Sequence, residues 1–108
     1  MTVLERFKTE IGKEYFDDSV YAMYLGENGL ESTDTYDKAT MQKDLLLTLL
    51  DCLQALSNDI DLFRRVDSEF ATTSDAYLNL RQRIDDVQRR INSLGVEKNS
   101  IVSYLFYG

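Results

Sequence analysis

A chain of 108 residues with an apolar fraction of 44% is sized for one domain around a single modest core, and it is too apolar for intrinsic disorder. A formal net charge of −7 argues against a phosphate-binding surface, and the absence of histidine removes Ser-His-Asp and Cys-His catalysis. Cys52 is the single cysteine, which excludes an internal disulfide, fits a reducing compartment and, with no histidine, argues against a zinc or iron site.

The first ten residues carry charges and no apolar stretch, so they do not read as a secretory signal. A first helix is predicted from a capping box. Thr2 can accept from the Glu5 amide while Glu5 reaches back to the Thr2 amide. Leu4, Phe7 and Ile11 then share one face with Val3 beside them, and Gly12 weakens any continuation. A second, shorter helix is expected over 18–25, capped by Asp17 or Asp18, with Val20, Met23 and Tyr24 turned inward and Gly26 marking its end. Residues 30–37 read as a polar linker. A third helix over about 36–56 carries Leu45, Leu49, Cys52 and Leu56 on one stripe and Leu46, Leu50 and Leu53 on another. Apolar on most of its circumference, it should be central and buried. It falls short of the ~20 uninterrupted apolar residues needed to cross a bilayer.

After a break at Ser57, Asn58 and Asp59, the spacing of Phe63, Val66 and Phe70 predicts a short helix or turn. The clearest signal follows. Tyr77, Leu80, Ile84, Val87, Ile91 and Leu94 recur at spacings of 3, 4, 3, 4 and 3, an unbroken seam that packs against one other helix, in the same molecule or in a neighbour. The stretch 71–74 supplies its cap, Asp75 suits its first turn, and Asp85–Arg89 and Asp86–Arg90 have i,i+4 spacing. Gly95 is expected to end it. The remainder, 96–108, is read as a C-terminal docking tail. Its stretch 101–107 holds seven uncharged residues, six of them apolar or aromatic, with β-prone character.

Charge divides along the chain. Residues 1–38 carry nine acids and four bases, whereas six of the seven arginines lie beyond residue 62. Arg81 falls at heptad position e, and Arg83 and Arg90 at g, where partner choice between helices is set. These three arginines, with Ile101, Tyr104, Leu105, Phe106 and Tyr107, are the candidate interface residues. Packing against acids of a neighbouring helix or subunit is the favoured role for the arginines over a phosphate backbone. Cys52 reads as a small buried hydrophobe, and the acid pairs Asp17–Asp18 and Asp85–Asp86 as a cap and as arginine partners. No EF-hand spacing and no phosphate-cradling glycine loop occurs. The sequence therefore predicts no catalytic residue, no metal, no cofactor and no small-molecule substrate.

The order of elements is the most specific pattern. A capped first helix at 3–11, a short second helix ending in a Gly turn, a hydrophobic central helix over 41–56 and a polar Phe-bearing loop lead to a long helix entered through Thr72, Thr73, Ser74, Asp75, Ala76, Tyr77 and Leu78. Over residues 3–94 this resembles the small all-helical head–tail connector proteins of tailed phages and prophages. The resemblance implies ring-forming subunits between portal and tail, self-association, contact with other virion or assembly proteins, and residence in the bacterial cytoplasm during assembly or in the virion. The fold expected is all-α, a compact bundle of four to five helices with an apolar tail that can be extended, forming one domain over 1–108. The rival expectation is an acidic cytosolic adaptor or regulator that binds one protein partner through the 77–94 seam. Neither reading calls for a membrane or a specific nucleic acid.

Overall fold

The computed structural model describes the backbone of residues 1–66 and 72–107, and the side chains of 1–65, 72 and 74–94. These residues form helices α1 (Val3–Ile11), α2 (Asp18–Glu27), α3 (Lys38–Ser57), α4 (Ile60–Val66) and α5 (Thr73–Tyr107). Among the described residues there is no strand, and one antiparallel bridge joins Thr2 to Thr35. The all-α expectation holds.

A helix start leaves its first amides without partners, and α1 shows where each one goes. Thr2 Oγ1 accepts from the Glu5 amide at 3.1 Å, and Glu5 Oε1 accepts from the Thr2 amide at 2.8 Å, closing the expected capping box. The Val3 and Leu4 amides donate instead to the carbonyls of Asp34 (2.8 Å) and Ser32 (3.0 Å). The segment expected to be a polar linker is thus a strap across the start of α1. It is pinned further by the Tyr36 amide on the Met1 carbonyl at 2.9 Å and by burial of Leu30. At the other end Gly12 takes φ 88°, which an L side chain would resist, and its amide returns to the Lys8 carbonyl.

In α2 the buried side chains are Tyr21 and Leu25. The expected inward set is corrected: Met23 is 51% exposed, and Val20 and Tyr24 are half-buried. The cause is the Tyr21 hydroxyl. It accepts from the amides of Tyr15 (3.0 Å) and Phe16 (3.3 Å) and donates to the Lys13 carbonyl (3.2 Å), tying down the whole α1–α2 turn. Its ring meets Phe7 edge-on at 5.2 Å. A tyrosine whose buried ring carries a hydroxyl that satisfies three backbone groups of the turn outcompetes Met23 for the inner position.

Helix α3, begun by the Asp37 carboxylate on the Ala39 amide, buries Leu45, Leu46, Thr48, Leu49, Leu50, Cys52, Leu53 and Leu56. Thr48 is tolerated there because its hydroxyl donates to the Asp44 carbonyl at 2.8 Å. Every other helix packs against α3, and its contact with α5 is the most extensive in the molecule. The ambiguous stretch after Asp59 begins as α4, with Phe63 buried and stacked on Tyr15 at 5.5 Å. The Val66 side chain and Phe70, part of the same expectation, lie outside the described residues.

Thr72 caps α5, its Oγ1 accepting from the Asp75 amide at 3.0 Å. Leu80, Val87 and Ile91 of the seam are buried, and Ile84 and Leu94 pack partly against the core. The seam starts one residue earlier than its spacing suggested: Ala76 is buried and Tyr77 is 43% exposed. The expected stop at Gly95 and the extended tail are both corrected, because α5 continues as one helix to Tyr107. An interior glycine costs a helix only about 1 kcal/mol relative to alanine, and no proline follows to end it.

Two substitutions test this architecture. Leu49→Asp places an unpaired charge at a buried position of α3 and should cost several kcal/mol, enough to abolish a cooperative thermal transition in a domain of this size. Gly95→Ala should raise stability by about 0.5–1 kcal/mol in urea titration if the helix passes through it; a left-handed cap at that position would make the same change destabilising.

Candidate interaction surface on helix α5

The seam makes α5 a donor of apolar side chains inward, so whatever α5 offers to other molecules lies on its outer side or beyond the seam. Of the candidate arginines, two are engaged within the chain. Arg83 Nη2 donates to the carbonyls of Glu10 (3.1 Å) and Ile11 (2.7 Å), the last carbonyls of α1. A cation at a helix C-terminus satisfies otherwise orphaned acceptors and opposes the negative end of the dipole. Arg90 pairs with the Glu10 carboxylate, whose second oxygen takes Arg6 at 3.2 Å. Glu10 therefore sits between Arg6 of its own helix and Arg90 of α5, and Arg6 also lies over the Tyr36 ring at 5.7 Å.

This arrangement corrects the expected pairing of Arg90 with Asp86. Arg90 reaches the Glu10 side chain, only 15% exposed, where a charge pair is screened less than on the open surface. Asp86 accepts from Arg89 at 3.4 Å instead, three residues apart, in place of the expected Asp85–Arg89 pair. Both partners there are largely exposed, so the pair contributes little. Arg81 is exposed. Sequence reasoning placed Arg83 and Arg90 beside the seam, but no local pattern marks a partner more than 70 residues away.

The other candidates, Ile101, Tyr104, Leu105, Phe106 and Tyr107, belong to the helical backbone of α5, and their side chains lie outside the described residues. Helix α5 has 35 residues, about 52 Å at 1.5 Å per residue, whereas α3 has 20, about 30 Å. The length of α3 matches the stretch from Ala76 to Leu94, where the described buried positions of α5 fall. Along the sequence the seam register continues through Lys98, which interrupts it, to Ile101 and Leu105. At the opposite end Tyr77 and Leu78 are adjacent and exposed, Leu78 at 65%.

Chemistry elsewhere is muted. Cys52 is fully buried and its thiol is pushed up to about 12, first by burial and then by Asp51 and Glu27 nearby. A buried thiol of that kind is no nucleophile. Between α1 and α2 an open depression lined by Lys8, Glu14 and Asp18 holds its lysine in ion pairs at 3.0 Å to Asp18 and 3.6 Å to Glu14. Among the described residues no cluster of His, Cys, Asp or Glu suits a metal ion, and no helix is long and apolar enough to cross a membrane. Comparison with protein-family models, with curated proteins and with solved structures found no match to this chain.

Arg83→Ala should lower stability by about 1–2 kcal/mol in urea titration, since it strips two carbonyls of a charged donor, and Arg83→Lys should restore part of the loss. The Cys52 thiol should resist aromatic disulfide reagents in the native state and react fully in denaturant. Its folded value lies above the unfolded one, so burial of the neutral thiol stabilises the fold below about pH 9, and that contribution should drain away as pH rises from about 9 to about 12. Tyr21, likewise raised by burial, acts in the same direction.

Proposed function

We propose that this chain is a non-enzymatic assembly subunit of the kind its sequence resembles, a head–tail connector of tailed phages or prophages. Such a subunit is made in the bacterial cytoplasm and carried in the virion, and it forms rings between portal and tail. The observation that supports the reading is the length of α5, 35 residues against 20 for α3, together with seven uncharged residues at 101–107 near its end. Six apolar or aromatic side chains in that stretch are costly to leave in water at about 25 cal/mol per Å2, and a protein neighbour removes the cost. The charge distribution is compatible with DNA passing close by without sticking.

The rival reading, an adaptor that binds one partner through the 77–94 seam, fits less well. Leu80, Val87 and Ile91 are already buried in their own core, so a partner could reach the seam only by prising α5 from α3.

Light scattering coupled to gel filtration tests the proposal. The chain should be a monomer or weak oligomer at low micromolar concentration and should form species of many copies as concentration rises. A chain that remains monomeric to millimolar concentration contradicts it. The same protein should give no gel shift with duplex DNA at micromolar concentration near physiological salt; a shift that weakens steeply as salt rises would mean that the exposed arginines serve phosphates.

A further inference from the structure

We infer that Asn28 is a site of spontaneous deamidation, and that the carboxylate formed there opens the contact between the end of α2 and α3. This chemistry does not depend on whether the chain assembles. Five asparagines occur in the chain, and Asn28 alone precedes a glycine. With no Cβ on Gly29 to crowd it, the Gly29 nitrogen can approach the preceding side chain. That nitrogen, giving up its proton, bonds to Asn28 Cγ, and the Cγ–Nδ2 bond breaks with loss of ammonia, leaving a five-membered succinimide. Water, the one co-reactant, then opens the ring at either carbonyl, to an aspartate or to an isoaspartyl linkage.

Asn28 holds a contact that its product destroys. Its Nδ2 donates to the Tyr24 carbonyl of α2 at 3.1 Å and to Asp51 Oδ2 of α3 at 3.0 Å, a clip between the two helices. The residue is half-buried and is the C-cap of α2. Replacing Nδ2 by oxygen leaves the Tyr24 carbonyl, the Asp51 carboxylate and a new carboxylate facing one another, acceptors without a donor. A negative charge at a helix C-terminus also opposes the dipole. Residues 14–37, which include all of α2, hold seven acids and no lysine or arginine to offset the added charge. The same contacts hold the reaction back. Ring closure requires the side chain to leave both acceptors, and the Gly29 amide is itself engaged with the Gly26 carbonyl at 3.1 Å. Deamidation therefore proceeds through local opening of the 26–29 turn, and the product makes a transient opening a lasting one.

Peptide mass mapping of protein incubated at mildly alkaline pH, natively and in urea, tests the site. In urea, conversion should run ahead at position 28; in the native chain it should occur there at about a tenth to a hundredth of that rate. Equal rates would mean that the clip gives no protection, and no native conversion over about a hundred unfolded-state half-times would mean that the turn does not open; either overturns the inference. Asn28→Asp reproduces the product. Cys52 of α3, buried close to Tyr21 and Tyr24 of α2, reports on the contact. In Asn28→Asp it should react with an aromatic disulfide reagent at least about tenfold faster than in the parent. Adding Asp51→Asn, which returns a donor opposite the carboxylate, should bring the rate back to the parent's. If the single variant does not fold, circular dichroism replaces labelling, and the double variant should recover the parent's spectrum. Labelling of Asn28→Asp at the parent's rate, or a double variant no better than the single one, would overturn the opening.

Discussion

Helix α3 is apolar around most of its second half, and that single property constrains everything packed on it. Eight of its residues between Leu45 and Leu56 are buried, so it cannot lie at a surface with one stripe turned inward. It needs cover on several sides, and α1, α2, α4 and α5 supply it. Each of those four helices can then remain short or one-sided. The seven residues of α4 would not hold a helix alone, yet Phe63 and the Tyr15 ring stacked on it bring α4 into the core. The cost of ordering the strap at 31–36 is offset because it supplies acceptors for the first amides of α1. The hydrophobic load of one helix thus organises a bundle that its other members could not form by themselves.

Polar contacts act differently, by setting angles. The Tyr21 hydroxyl determines how the chain turns from α1 into α2, and the Arg83 guanidinium determines how α5 lies against the end of α1. Neither contributes much net stability compared with the leucines of α3, since hydrogen bonds to protein replace hydrogen bonds to water. Both penalise alternatives, because a different arrangement would leave buried carbonyls and amides unpaired. With Glu10 held between Arg6 and Arg90, α5 is aligned by charge as well as by its apolar seam.

What could be read from the sequence follows the range of each interaction. The α1 capping box, the buried α3 and the seam of α5 are written in residues three to seven apart, and all three were legible. Helix α2 was legible as a helix but not in its orientation, because Val20, Tyr21, Ala22, Met23, Tyr24 and Leu25 form a contiguous apolar run with no phase to choose a face. The choice came from a hydroxyl reaching back across the preceding turn. Gly95 misled for the opposite reason: glycine marks helix ends often, but its cost of about 1 kcal/mol is small against the continuity of a long helix. The engagement of Arg83 and Arg90 with α1 was invisible because it depends on tertiary placement alone. Of the candidate interface, the heptad placed Arg81 at the flank of the seam, where it is in fact exposed, and the exposed pair at Tyr77 and Leu78 emerged only once Ala76 was found in the core.

The central proposal is that α5, one continuous helix, is held by α3 over its first part and by another molecule over its last. Amide hydrogen exchange resolved along α5, recorded at several protein concentrations, tests it most directly. Residues 80–94 should be protected at every concentration, as befits a core element. Residues 96–107 should exchange readily in dilute solution, since a helical stretch of that length is marginal without a neighbour, and should become protected as concentration rises. Protection of 96–107 that is strong and independent of concentration would show that the outer part docks on its own chain, and would contradict the claim.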